Sequence, residues 1–148
     1  MRKYFLLVFI VIYSLFITEV FASKSKYFEQ GKILFEKKEY KKSKILFERD
    51  LVFNPKSEKS YLYLAKIFEK NDDDQLQEIN LNNVLLLNPQ NDEAIYMLTI
   101  LKIKHSDYKK AKKLIEKFSL ICKTFCSKKT EIQKKFDKLE PKNEKDNN

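Results

Sequence analysis

A chain of 148 residues, 43% hydrophobic and 34% charged, is long enough for one modest domain and too apolar to stay disordered. One glycine and three prolines exclude a turn-rich β-architecture and any glycine-rich phosphate loop, so the composition calls for helices joined by tight links. The net charge of +9 is almost all lysine, Arg2 and Arg49 being the only arginines, which argues against a surface that reads nucleic-acid bases.

The chain opens MRKYFLLVFIVIYSLFITEVFAS. A positive start at Arg2 and Lys3, an apolar run over residues 4–17 and a small residue at Ala22 are the three parts of a secretory signal peptide, so residues 1–22 are expected to be removed after Ala22. The run is short of the roughly twenty residues that span a bilayer; the alternatives are an uncleaved anchor over residues 4–21, stretched across Thr18 and Glu19, and a buried core helix. Without residues 1–22 the balance is 28 basic to 20 acidic residues, net +8.

Downstream the sequence repeats every 34 residues. Pro55 and Pro89 stand at the same place in matching phrases, FNPKSEKSYLYLA and LNPQNDEAIYMLT. The series Tyr27, Gly31, Leu34, Tyr40, Ser43, Phe47 returns as Tyr61, Ala65, Phe68, Asp74, Gln77, Leu81, and again as Ile95, Thr99, Lys102, Tyr108, Ala111, Ile115. EYKKSKILF and DYKKAKKLI lie two periods apart and nearly coincide. Each period reads as two helices. In the first, 26–38 and 41–53 carry apolar residues at helical spacing, and Asn54-Pro55 stops the second helix because proline lacks an N–H. Ser57 is placed to cap a helix over 58–70, and Asn91 or Asp92 one over 93–104. The small residues Gly31, Ser43, Ala65, Thr99 and Ala111 mark where paired helices cross.

On these residues, positions 24–123 resemble tetratricopeptide repeats, whose pattern runs aromatic, Leu, Gly or Ala, aromatic, then Ala, aromatic and Pro. Tyr61, Leu64, Ala65, Phe68 and Pro89 carry it best, whereas Gln30, Thr99, Lys102 and Lys123 depart from it. Gln77 and the NDDDQ turn suggest a looser middle unit. The resemblance implies an all-α, right-handed α-solenoid with units at about 24–57, 58–91 and 92–125. A capping helix over 127–140 should present Ile132, Phe136 and Leu139 to the last unit, and 141–148 should be a disordered tail.

Little in the chain suggests catalysis, and no catalytic, metal or cofactor site is expected. His105 is the single histidine and lies in a turn. Asp72, Asp73 and Asp74 lack the glycine and closing glutamate of a calcium loop and read as a helix cap. Cys122 and Cys126 cannot complete a zinc tetrahedron by themselves; a disulfide, buried free thiols and a redox pair all stay open.

Tetratricopeptide arrays are binding scaffolds whose first helices line a groove. Carried over, this puts Phe28, Lys32 and Phe35 in the groove from the first unit, Leu62, Lys66 and Glu69 from the second, and Tyr96, Ile100 and Ile103 from the third. Each apolar member has core packing as its competing role, and Lys32 and Lys66 would select an acidic partner. The family's chaperone-binding subset grips a terminal carboxylate with Lys, Asn and Arg. The corresponding residues here are Phe28, Lys32, Tyr63, Glu93 and Met97, of which only Lys32 fits. The expectation is a non-enzymatic adaptor in the bacterial periplasm or cell envelope, binding another envelope or exported protein and no nucleic acid. The alternative is a structural protein that self-associates, or that touches anionic membrane through its lysines or an uncleaved N-terminal helix.

Overall fold

A computed structural model describes residues 26–139, which are helical with no strand among them. The signal peptide or anchor and the 141–148 tail lie outside the described residues. Six helices form three antiparallel pairs: α1 (Lys26–Glu36) with α2 (Tyr40–Phe53), α3 (Glu58–Lys70) with α4 (Asp74–Leu87), and α5 (Asp92–Lys104) with α6 (Tyr108–Ile121). A short 3-10 turn, Cys126–Lys128, leads into α7 (Lys129–Leu139), which packs on α5 and α6. Each helix also packs on its successor, so the core runs along the array in three buried clusters.

The turn within each pair follows one rule. Lys38, Asp72 and Ser106, 34 residues apart, take positive φ angles of 61°, 54° and 57°. The N–H of the next residue reaches back to the last turn: Glu39 to Leu34 O at 2.9 Å, Asp73 to Phe68 O at 3.0 Å and Asp107 to Lys102 O at 2.9 Å. This is the Schellman closure that glycine usually provides; a chain with a single glycine spends side-chain-bearing residues there. The closure also stops α1 at Glu36, short of the expected 38.

Helix starts are capped where the side chain is free. Asn91 accepts from Ala94 N–H at 2.8 Å, Asp73 from Leu76 N–H at 3.0 Å and Asp107 from Lys110 N–H at 3.2 Å. Ser57 does not make the expected cap. Its hydroxyl donates instead to Ser60 Oγ at 3.0 Å, and Ser60 donates to the fully buried Asp50.

The small residues sit at the helix crossings as the sequence implied, each matched to what it faces. Gly31 lies against the Phe47 ring, and its carbonyl accepts from Ser43 Oγ at 2.8 Å. The middle unit places Ala65 and Leu81 at these positions and the third Thr99 and Ile115. Between the first two units size is traded across the crossing, a smaller residue facing the larger Phe47 and a larger one standing with Leu81, as close packing demands. Among the described residues no helix is long and apolar enough to cross a membrane.

Candidate functional site

The first helices and α7 together carry a continuous band of aromatic and charged side chains. At its N-terminal end Tyr63 is the hub. Phe28 and Phe35 meet its ring edge-on, with centroids 5.7 and 5.1 Å away, and Phe47 stacks on it at 5.0 Å. Phe35 also packs on Tyr40 at 5.3 Å. Burial, and then the negative charges of Glu36, Glu93 and Glu29, push the Tyr63 hydroxyl above its ordinary range, so it remains a neutral donor.

In the middle of the band Lys66 bridges two units. Its ammonium lies 2.7 Å from Glu93 at the start of α5 and 5.0 Å from the Tyr63 ring centroid. At the far end Tyr96 packs on Phe118 and Phe125, with centroids 6.4 and 5.8 Å away, and donates to Glu131 of α7 at 3.1 Å. Glu131 is also held by Lys128 at 2.9 Å and Lys135 at 3.0 Å. The hydrogen bonds from Lys128 and then Lys135 outweigh burial and keep its carboxyl at about 2. Burial and the Glu131 charge raise Tyr96.

The structure separates the expected groove residues into three kinds. Phe28, Phe35, Lys32, Lys66, Tyr96 and Ile100 are partly exposed along the band, and Glu69 is exposed. Leu62 and Ile103 are core residues instead, 8% and 4% exposed. Leu62 packs with Ala94, Met97 and Leu98 of α5, and Ile103 with Ala111 and Ile115 of α6. A first helix with units on both sides must bury two stripes, and these residues fall on the second. The reading of Lys66 as a free selector of an acidic partner is also corrected, whereas the exposed Lys32 is only loosely paired. Lys32 lies 3.8 Å from Glu36, and Lys66 is occupied by Glu93. The band alternates in sign, and at Lys66 the positive charge is already opposed.

Three contributors were not read as site residues from the sequence. Tyr63 and Glu93 entered only as poor matches to a carboxylate grip, and Glu131 belongs to a helix taken as a cap. The signal for Tyr63 and Glu93 lay in the charge and aromatic spacing of YLYLAK and NDEAIY. Nothing in the sequence pointed to Glu131.

Below the band, Cys122 and Cys126 are joined, with Cα atoms 5.2 Å apart. The loop between them closes over Asp92. The N–H groups of Lys123, Thr124 and Phe125 all donate to its Oδ2, at 2.7, 2.7 and 2.9 Å, and Thr124 Oγ1 donates to Oδ1 at 2.9 Å. Burial alone would raise this carboxyl, yet the convergent donors from Phe125, Lys123 and Thr124 overcome it and hold it at about 2. His105, with Lys104, lies 2.8 Å from Asp74 on the surface. Asp74 is lowered chiefly by the Lys104 hydrogen bond. The described residues contain no cluster of three or more His, Cys, Asp or Glu side chains suited to a metal.

No family model matches the chain, and no curated protein matches it either. Solved structures do. The first TPR of Spaghetti (RPAP3) bound to HSP90 peptide SRMEEVD superposes with a TM-score of 0.68 at 16% identity, covering 76% of this chain and 90% of that one. A chain of the CopN-Scc3 complex gives a TM-score of 0.62 at 17% identity, covering 76% of this chain and 66% of that one. At such identities the likeness concerns architecture, and together with the 34-residue period and the paired helices it shows that the chain folds as a tetratricopeptide-like α-solenoid.

Proposed function

We propose that the protein is a non-enzymatic adaptor of the bacterial cell envelope, holding a segment of another exported or membrane protein along the band of its first helices. The observation that supports this most is the continuity of the band from Phe28 to Glu131 across four helices, with aromatic rings partly open and charges already paired. Such a surface exchanges little solvation for contact with a partner, and aromatic anchors commonly dominate binding energy. A solenoid of this kind in the RPAP3 structure holds a peptide ending in acidic residues. Here the positions that would grip a carboxylate are Phe28, Lys32, Tyr63, Glu93 and Met97. Met97 is 5% exposed and Glu93 is tied to Lys66, so the face favours an apolar or aromatic segment of mixed charge.

A photocrosslinker replacing Ile100, compared with one replacing the outer-face Ile79, tests this in intact cells. Adducts with one defined envelope protein from position 100, lost on Tyr96→Ala, are expected. Adducts only from position 79 would move the site elsewhere, and saturable binding of the SRMEEVD peptide would restore the carboxylate grip. Export is tested by N-terminal sequencing of the natural protein, expected to begin at Ser23; an intact Met1 in a soluble cytoplasmic fraction would overturn the envelope reading.

A further inference from the structure

The second helices carry a period of their own, on the side facing away from the core. Val52, Leu86 and Leu120 stand 34 residues apart, near the C-terminal ends of α2, α4 and α6, and are 74%, 80% and 86% exposed. One exposed aliphatic side chain on a surface is ordinary; one at the same register position in every unit is a row. Seven residues earlier, on the same stripe of each helix, Ile45 and Ile79 are 50% and 47% exposed and Lys113 takes the third place. Residues one period apart lie side by side on stacked units, so these side chains form a ridge across the array.

The charges around the ridge are not symmetric in sign. The outward positions of α4 between the isoleucine and the leucine are the neutral Asn82 and Asn83, and its acids are already used: Asp74 by Lys104 and His105, Glu78 by Lys102. On α6, Lys109, Lys112, Lys113 and Lys117 form no ion pair with any described residue. On α2, Lys41 and Arg49 are likewise exposed and without an ion pair among the described residues. The same register holds Glu48 on α2, paired with Lys44 at 2.8 Å, and Glu116 on α6, so a neutral apolar centre lies between two flanks on which basic residues outnumber the acids. A partner helix would need a groove to bury its own apolar stripe, whereas side chains more than 70% exposed project from the surface. Projecting aliphatic tips with lysines beside them suit the interface of an anionic bilayer, where the tips enter the headgroup layer and the ammonium groups meet phosphates.

We propose that the outer face of the second helices docks on an anionic lipid surface, with Val52, Leu86 and Leu120 inserted and the α6 lysines on the headgroups. This goes beyond the adaptor reading and does not depend on it, because the band of the first helices stays open on the other face.

The test uses the full chain, with an environment-sensitive dye on a cysteine placed at one position at a time and the Cys122–Cys126 bridge kept oxidised. Dyes on Leu86→Cys and Val52→Cys are expected to shift to the blue with phosphatidylglycerol-containing vesicles and to stay unshifted with pure phosphatidylcholine. A dye on Glu69→Cys, on a first helix, should not move in either case. Because the readout belongs to one side chain, binding through the N-terminal residues alone cannot imitate it. Each lysine near an anionic surface strengthens partitioning by about fivefold, so Lys113→Gln with Lys117→Gln should weaken it by roughly 20- to 30-fold, and added salt should act in the same direction. No shift at 52 and 86, an equal shift with the neutral vesicles, or a shift that grows with protein concentration in the absence of lipid would each overturn the proposal. The last result would assign the ridge to contact between copies. Melting curves matching the parent chain confirm that the variants are folded.

Discussion

At the link after the second unit, Glu58 accepts from the side-chain amides of Asn88 at 3.1 Å and Asn91 at 2.5 Å. At the link after the third, Asp92, which stands 34 residues later, accepts from the main chain of Lys123, Thr124 and Phe125. The two carboxylates occupy the same place, at the start of a first helix, and each fastens the link that ends its own unit. The difference lies in what the link can offer. Pro89 has no N–H, so the second link is stiffened by its ring and fastened through side chains. Its counterpart Lys123 does have an N–H and donates it to Asp92. The lost proline ring is replaced by the Cys122–Cys126 bridge. What looks in the sequence like a decayed repeat is a different fastening of the same joint.

The largest expected effect tests whether the third link depends more on its carboxylate than the second does. Asp92→Ala leaves three main-chain donors without their acceptor and should cost about 3 kcal/mol, against about 1 kcal/mol for Glu58→Ala, whose partners can turn toward water. The charge itself can be weighed by pH. The Asp92 carboxyl lies at about 2 in the fold against an ordinary 3.8. A lowered folded value means that its contribution is complete above 3.8 and fades as pH falls through about 2. The stability gap between the parent and Asp92→Asn should therefore close by about 2 kcal/mol over that window. Glu131 titrates in the same range but is common to both chains, so the difference isolates Asp92. A gap constant with pH would show that the carboxylate acts through shape alone.

Reduction of the bridge should have a smaller effect. Closing so short a loop restrains the unfolded chain by about 2 kcal/mol at most, and the loss should be local. Amide exchange is expected to quicken in α7 and residues 122–128 and to remain unchanged in α1 to α4, since the linear array passes strain only to neighbours. Uniform acceleration along the chain would mean that the third link controls the whole solenoid.

Much of the architecture was legible because a 34-residue period repeats every local signal: the breaks at Pro55 and Pro89, the small residues at the crossings, the apolar stripes. The groove was less legible, for a physical reason. An apolar residue on a first helix can face the open side or either neighbouring unit, and spacing within one helix does not distinguish these, which is how Leu62 and Ile103 came to be read as surface. Pairing between units is equally hidden. Lys66 and Glu93 are 27 residues apart and share no motif. Nor does the period show what a link does when it breaks the pattern, as at Lys123.

The smallest expected effect concerns the opposite end of the array, where fit between side chains takes the place of polar fastening. A Cβ added at Gly31 would lie 2.9 Å from Phe47 Cε1 and 3.1 Å from Cδ1. The ring cannot move aside, being fully buried between Phe28 and Tyr63. Gly31→Ala should therefore lose about 1 kcal/mol or slightly more, because overpacking exceeds the gain in helix propensity. Phe47→Leu alone leaves a void and should cost about 1–2 kcal/mol. Together the two substitutions recreate the Ala65–Leu81 pair of the middle unit, and the added methyl then fills part of the space that the ring vacated. In a double-mutant cycle by denaturant unfolding, Gly31→Ala should change sign and become stabilising in the Phe47→Leu background, a coupling of about 1 kcal/mol or more. Simple additivity would mean that the alanine is resisted by the backbone approach of α1 and α2 rather than by the ring, and that the sizes at the first two crossings arise without mutual compensation.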